Sequence, residues 1–174
     1  FLGPTGLIGI LGLCLTWSGL KTWKRQLIGS DKYKLARDLL ASIYRLEAYV
    51  KNARRPIKTI TVKSDDYKAA SREASLADIN LVIKAYNELW IFIPEAKVHW
   101  GGKIENLVKD LNKCIYELNH AFNLKFNDNN NSRCNDYDDI LYETGLKSDE
   151  FSKKLQDTIK SFEDLLTPFI NGKC

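Results

Sequence analysis

Residues 2–20, LGPTGLIGILGLCLTWSGL, contain no charged side chain, and Lys21, Lys24 and Arg25 follow directly. Nineteen residues at ~1.5 Å rise reach roughly 28 Å, close to the ~30 Å hydrocarbon core of a bilayer. A buried core helix would carry polar residues along one side, and this run offers only Thr5, Thr16, Ser18 and glycines. It is longer than the ~7–15-residue apolar core of a signal peptide, and basic residues stand where a small-residue cleavage site would lie. The stretch therefore predicts a transmembrane helix over residues 1–23. Trp17, Lys21, Trp23, Lys24 and Arg25 then fall at headgroup level, where amphipathic rings and cations settle. Thr5, Gly9, Gly12, Thr16 and Gly19 are spaced 4-3-4-3 and share about 80° of arc on a 3.6-residue helix. Small residues in such a seam let helix backbones approach in lipid. Gly3, Gly6, Gly9 and Gly12, at steps of three, spiral around the helix and form no single face.

The remaining chain is long enough for one domain. Methionine is absent from all 174 residues, and Met is normally trimmed only ahead of small residues, so the sequence suggests that residues preceded Phe1. Cys14, Cys114, Cys134 and Cys174 form no CxxC pair and fit a reducing compartment, although the count alone allows two disulfides. The net charge of +4 is unevenly spread: residues 21–63 hold twelve Lys/Arg against Asp31, Asp38 and Glu47, whereas residues 64–174 hold fourteen basic against nineteen acidic groups. The basic part adjoins the apolar stretch. That asymmetry places the body on the cytoplasmic side and points to anionic headgroups as a partner.

Helical periodicity dominates the body. Gly29-Ser30-Asp31 reads as a break and a cap, followed by a helix over 31–53 with Leu35, Leu39, Leu40, Ile43, Leu46 and Val50 on one face. Arg55-Pro56 ends it, since a residue before proline is pushed out of the helical region. Residues 57–62 are β-branched and read as an extended connector. Ser64-Asp65-Asp66 caps a second helix carried by Ala70, Ala74, Ala77, Leu81, Ala85, Leu89 and Phe92. Pro94 marks a kink or break, and Trp100-Gly101-Gly102 a turn. Ile104, Leu107, Val108, Leu111, Ile115, Leu118 and Phe122 give the clearest stripe. Residues 127–139, rich in asparagine, read as a mobile loop. Asp149 then caps a last helix that turns Phe151, Leu155, Ile159, Phe162, Leu166 and Phe169 inward. The expected fold is all-α: an N-terminal transmembrane helix followed by a four-helix antiparallel bundle over 24–174.

Catalytic chemistry leaves little trace. No HExxH, P-loop or GxGxxG sequence is present, and the two histidines are His99 and His120. His120 lies three residues after Glu117, a spacing more typical of a surface pair than of a site. Asp128, Asn130 and Ser132 loosely match the first places of a calcium loop, but Arg133 occupies the position that requires glycine and Asp139 replaces the bidentate Glu. Asn130-Asn131-Ser132 fits a glycosylation sequon. Trp90 and Trp100 read as core or helix-junction anchors. No catalytic residue, cofactor or metal is implied, and no nucleic-acid partner is expected.

The run Ala36-Arg37-Asp38-Leu39-Leu40, the Arg54-Arg55-Pro56 stop, Trp90 and the segment Glu95-Ala96-Lys97-Val98-His99-Trp100-Gly101 resemble an uncharacterised group of bacterial single-pass, membrane-anchored helical proteins. The resemblance covers most of the chain and implies an inner-membrane location with a cytoplasmic helical body; it brings no catalytic residues. The sequence thus favours an interaction module that self-associates through its span and docks a protein partner. The alternative is a membrane-perturbing effector of toxin or antiviral type whose assembled spans disrupt the bilayer. A fusion-type subunit fits less well, because a basic stop follows the apolar start and long heptad repeats are lacking. An enzyme is the least supported class.

Overall fold

Leu35, Leu39, Leu40, Ile43, Leu46 and Val50 are all buried, and the helix that carries them forms one wall of the core. The computed structural model describes residues 4–55, 67–127, 138–142 and 149–172; the side chains of residues 4–18 and of most of 20–28 are outside that description. The elements are α1 (Pro4–Ala53), α2 (Tyr67–Leu89), α3 (Ile93–Trp100), α4 (Gly102–Asn127), α5 (Asp138–Leu141) and α6 (Glu150–Ile170). No strand occurs among the described residues, as an all-α fold requires.

The long helices pair antiparallel, and cross-helix contacts fix the register. Arg45 meets Glu88 at 3.5 Å and Asn52 meets Asp78 at 3.2 Å, so α1 and α2 run in opposite directions. Tyr44 donates to Glu163 at 2.7 Å while Arg54 reaches Ser152, which sets α6 against α1 in the same way. Lys154 meets Glu117 at 2.6 Å, and Trp100 packs edge-on against Phe169, so α4 also opposes α6. Tyr86 donates to Asn112 at 3.0 Å and closes α2 onto α4. Each long helix thereby touches two neighbours around one core that includes Val82, Leu89, Ile104, Leu111, Leu118 and Phe162. Short α3 crosses one end: Phe92 and Glu95 lie beside Asp31 and Lys34, and Trp100 reaches Phe169 at the end of α6. Gly101, at φ 58°, supplies the left-handed residue that turns α3 into α4, and its N–H closes on the Lys97 carbonyl at 2.9 Å.

Several expectations require correction. The break at Gly29-Ser30-Asp31 is absent, and α1 runs uninterrupted for 50 residues, about 75 Å. One glycine costs a helix about 1 kcal/mol, and propagation through it is easier than a fresh nucleation beyond it. The inward face of α2 is Ser75, Ile79, Val82, Ala85 and Leu89, whereas Ala77 is exposed and Leu81 is 40% exposed. Ser75 and Asp78 interrupt the true stripe with polar side chains, and the alanines beside it imitate an apolar one. Trp90 stands at the helix junction but is 43% exposed, so it is not a core anchor; Trp100, at 8%, is. The ends of the stretch read as a loop over 127–139 are helical, since Asn127 closes α4 and Asp138 and Asp139 open α5. The connector at 57–62, the cap at 64–66, the calcium-like run at 128–137 and the sequon lie outside the described residues. Among the described residues no helix is long and apolar enough to cross a membrane. The stretch that raised that expectation belongs to the half of α1 whose side chains are mostly undescribed.

Leu111 is 1% exposed at the centre of α4, so Leu111→Ala should destabilise the fold by about 2–5 kcal/mol. Leu81→Ala, on the outward side of α2, should change stability by less than about 0.5 kcal/mol. Denaturant unfolding followed by circular dichroism measures both, and equal effects would contradict the corrected α2 register.

Candidate functional site

Arg54 is the one buried cation among the described residues, 2% exposed at the end of α1. Its position follows from the sequence: Pro56 forbids another helical turn, so the chain leaves α1 just where Arg54 turns inward. Nε donates to the Ile140 carbonyl at 2.6 Å, Nη1 to Ser152 Oγ at 2.6 Å and Nη2 to Asp149 Oδ2 at 2.8 Å. The guanidinium carbon also stands 4.6 Å from the centre of the Phe151 ring. Asp149 is extended at φ −66°, ψ 158° and caps α6 by accepting the Ser152 N–H. One guanidinium therefore joins the end of α1, the carbonyl of Ile140 in α5 and the first turn of α6.

Electrostatics at this cluster favour holding over reaction. Burial acts to raise the Asp149 carboxyl, but the Ser152 N–H and the Arg54 guanidinium outweigh it and hold the group below its ordinary value. Arg54 carries a permanent charge and cannot take a proton from Ser152 Oγ. The cluster clamps three segments.

Two grooves carry charged linings, the first balanced in sign and the second with an acidic excess. One of about 500 Å³ between α4 and α6 is lined by Asp110, Lys113, Lys153, Lys154 and Asp157, with Lys113 held by Asp110 at 2.8 Å and Lys154 by Glu117 at 2.6 Å. The second, about 320 Å³, gathers Asp31, Lys34, Asp38 and Glu95 between α1 and the α2–α3 junction. The Glu117–His120 pair does not form a site, since Glu117 turns to Lys154 and His120 stacks on Tyr116 at 5.9 Å. Cys114 is fully buried, and burial pushes its thiol up. No metal-binding group of His, Cys, Asp or Glu side chains occurs among the described residues.

The residues expected to act in a membrane all lie on α1 beyond its packed half. The backbone is helical through Thr5, Gly9, Gly12, Thr16 and Gly19, so their spacing sets them along one stripe. Gly19 is exposed, with nothing within 4 Å of where a Cβ would stand. Trp23 is 63% exposed. The side chains of Thr5, Thr16, Trp17, Lys21, Lys24 and Arg25 lie outside the described residues. Sequence reasoning noticed Arg54 as part of a helix stop and missed it as the clamp; the arginine preceding the proline by two residues, with a capping Asp-x-x-Ser later in the chain, was the available signal. No family model, curated protein or solved structure matches the chain.

Arg54→Ala should destabilise the fold by about 3–5 kcal/mol, because it strands a buried carboxylate. The pH dependence has a definite sign. With its folded pKa lowered, Asp149 contributes stability that is fully present above its ordinary value of 3.8 and is lost as pH falls through the folded value. Unfolding free energies measured from neutral pH into acid should therefore fall for the natural chain and flatten in Arg54→Ala.

Proposed function

We propose that the chain is a membrane-anchored helical interaction module of a bacterial inner membrane, with residues 2–20 crossing the bilayer and the helical body in the cytoplasm. Thr5, Gly9, Gly12, Thr16 and Gly19 pack against a second copy, and Trp17, Lys21, Trp23, Lys24 and Arg25 set the level of the anionic headgroups. The body then docks a protein partner. The observation that carries this reading is the continuity of α1 from Pro4 to Ala53. The uncharged stretch and the main wall of the bundle core belong to one helix, so whatever orients the first half orients the second. The basic excess over residues 21–63 and the resemblance to single-pass bacterial proteins support the same orientation. The clamped Arg54 suits a rigid body that presents surfaces more than one that turns over a substrate.

Assembly is tested by two matched substitutions in the full chain. A seven-residue repeat of small residues suits left-handed crossing of close-packed helices. Gly12→Leu lies mid-seam and should separate the helices; Gly6→Leu, about 120° around the helix, should leave assembly nearly intact. Both add the same side chain, so insertion is matched. Crosslinking or single-molecule photobleaching in membranes reads the result, and equal behaviour of the two variants would contradict the seam.

A further inference from the structure

The two ends of the bundle are finished differently. At the far end Arg54 meets Ile140, Asp149 and Ser152. At the near end, from which the first half of α1 projects, α3 lies across the helices with Ile93, Ala96 and Trp100 turned to the core. Its opposite side carries Pro94 and Val98, exposed, Val98 at 81%, and Ile91 in the turn just before α3 is 74% exposed. Together they make an exposed apolar patch at the α2–α3 turn and along α3. Half-exposed Trp90 lies beside them, and beneath them the buried indole N–H of Trp100 has no acceptor among the described residues. Charges at the rim are balanced, with Lys97 near Glu105 at 3.6 Å, exposed Lys103 and half-buried His99 against exposed Glu95.

We propose that the apolar patch of Ile91, in the turn before α3, with Pro94 and Val98 of α3, is a second membrane contact, resting on the headgroup layer beside α1. The proposal rests on the reading of residues 2–20 as a span. Position argues for lipid as the occupant: α1 leaves the bundle at this same end, where its described side chains from Gly19 to Lys34 are exposed or, at Lys32, half-buried. α3 therefore lies at the end of the bundle from which the apolar stretch projects. Short helices with an apolar face and a polar rim settle at the boundary of headgroups and acyl chains. α3 lies level with Asp31–Asp38, so an upright α1 would hold its face on the order of 10 Å clear of the headgroups. A tilt of α1 toward α3, within the usual range of about 0–40°, closes that gap. The contact thus also fixes the direction in which the rod leans.

The test places the environment-sensitive fluorophore NBD on single cysteines at positions 98, 116 and 10 of the full chain. Cys14, Cys134 and Cys174 are changed to serine, and buried Cys114 is kept. In phosphatidylcholine–phosphatidylglycerol vesicles the label at 98 should shift to the blue and be quenched by lipids carrying a headgroup quencher. The label at 116 should report water, and the label at 10 hydrocarbon. Adding Ile91→Asp should return the label at 98 toward water with helicity unchanged. A label at 98 that matches 116 while 10 stays in hydrocarbon would overturn the α3 contact and leave the span standing. A label at 10 in water would overturn the span and this proposal together. Shielding at 98 that grows with protein density and escapes the headgroup quencher would assign the face to a second copy and overturn the lipid contact.

Discussion

The packing of α1 through Leu35, Leu39, Leu40, Ile43, Leu46 and Val50 is the contact on which the rest of the structure depends. Both α2 and α6 lie against this stripe, α3 closes its near end, and α4 completes the ring through α2 and α6. Removal of one stripe residue would leave a cavity that touches several helices at once, because a close-packed interior relaxes only in part. Since α1 is one unbroken helix, the same stripe also fixes the direction in which the N-terminal rod leaves the bundle. Core packing and orientation of the projecting half are set by a single element.

Polar contacts add direction to this core. Surface pairs such as Arg45–Glu88 at 3.5 Å and Arg37–Asp38 at 2.9 Å are exposed and contribute little. Arg54 differs, because its partner carboxylate is largely buried and its three donor groups reach acceptors on two other segments, α5 and the first turn of α6. A buried pair of this kind is a weak source of stability relative to an apolar replacement, but it penalises any packing that separates its partners. It specifies which end of α6 meets the end of α1, something a uniform apolar stripe leaves open. Tyr44 makes a similar tie midway along the interface, where the Glu163 carboxylate accepts its hydroxyl and pushes the phenol up to about 12.

Helix identity was legible wherever apolar spacing was unambiguous. The inward residues of α4 and α6, the end of α1 before Arg55-Pro56 and the Asp149 cap all follow from periodicity and stop signals. The face of α2 was not, since alanine is compatible with either side of a helix and Ser75 and Asp78 sit where an apolar residue was sought. The continuity of α1 was hidden by Gly29-Ser30-Asp31, a sequence that favours a break only when the helix on each side has its own reason to end. The clamp was hidden for a different reason: Arg54, Ile140 and Ser152 are far apart in the chain, and no periodic signal joins them. The apolar patch at α3 was overlooked because two apolar residues in so short a helix and one in the turn before it resemble ordinary core.

The central claim is that α1 is one rod, joining the apolar half to the bundle without a hinge. Spin labels at Trp23 and Arg45, both exposed, are separated by 22 residues, so a continuous helix sets them roughly 33 Å apart. Pulsed electron paramagnetic resonance on the labelled full chain, diluted with unlabelled chain in nanodiscs, reads that distance within one molecule. A single narrow distribution near this value is the result the account predicts. A broad or clearly shorter distribution would place a hinge near Gly29 and contradict it.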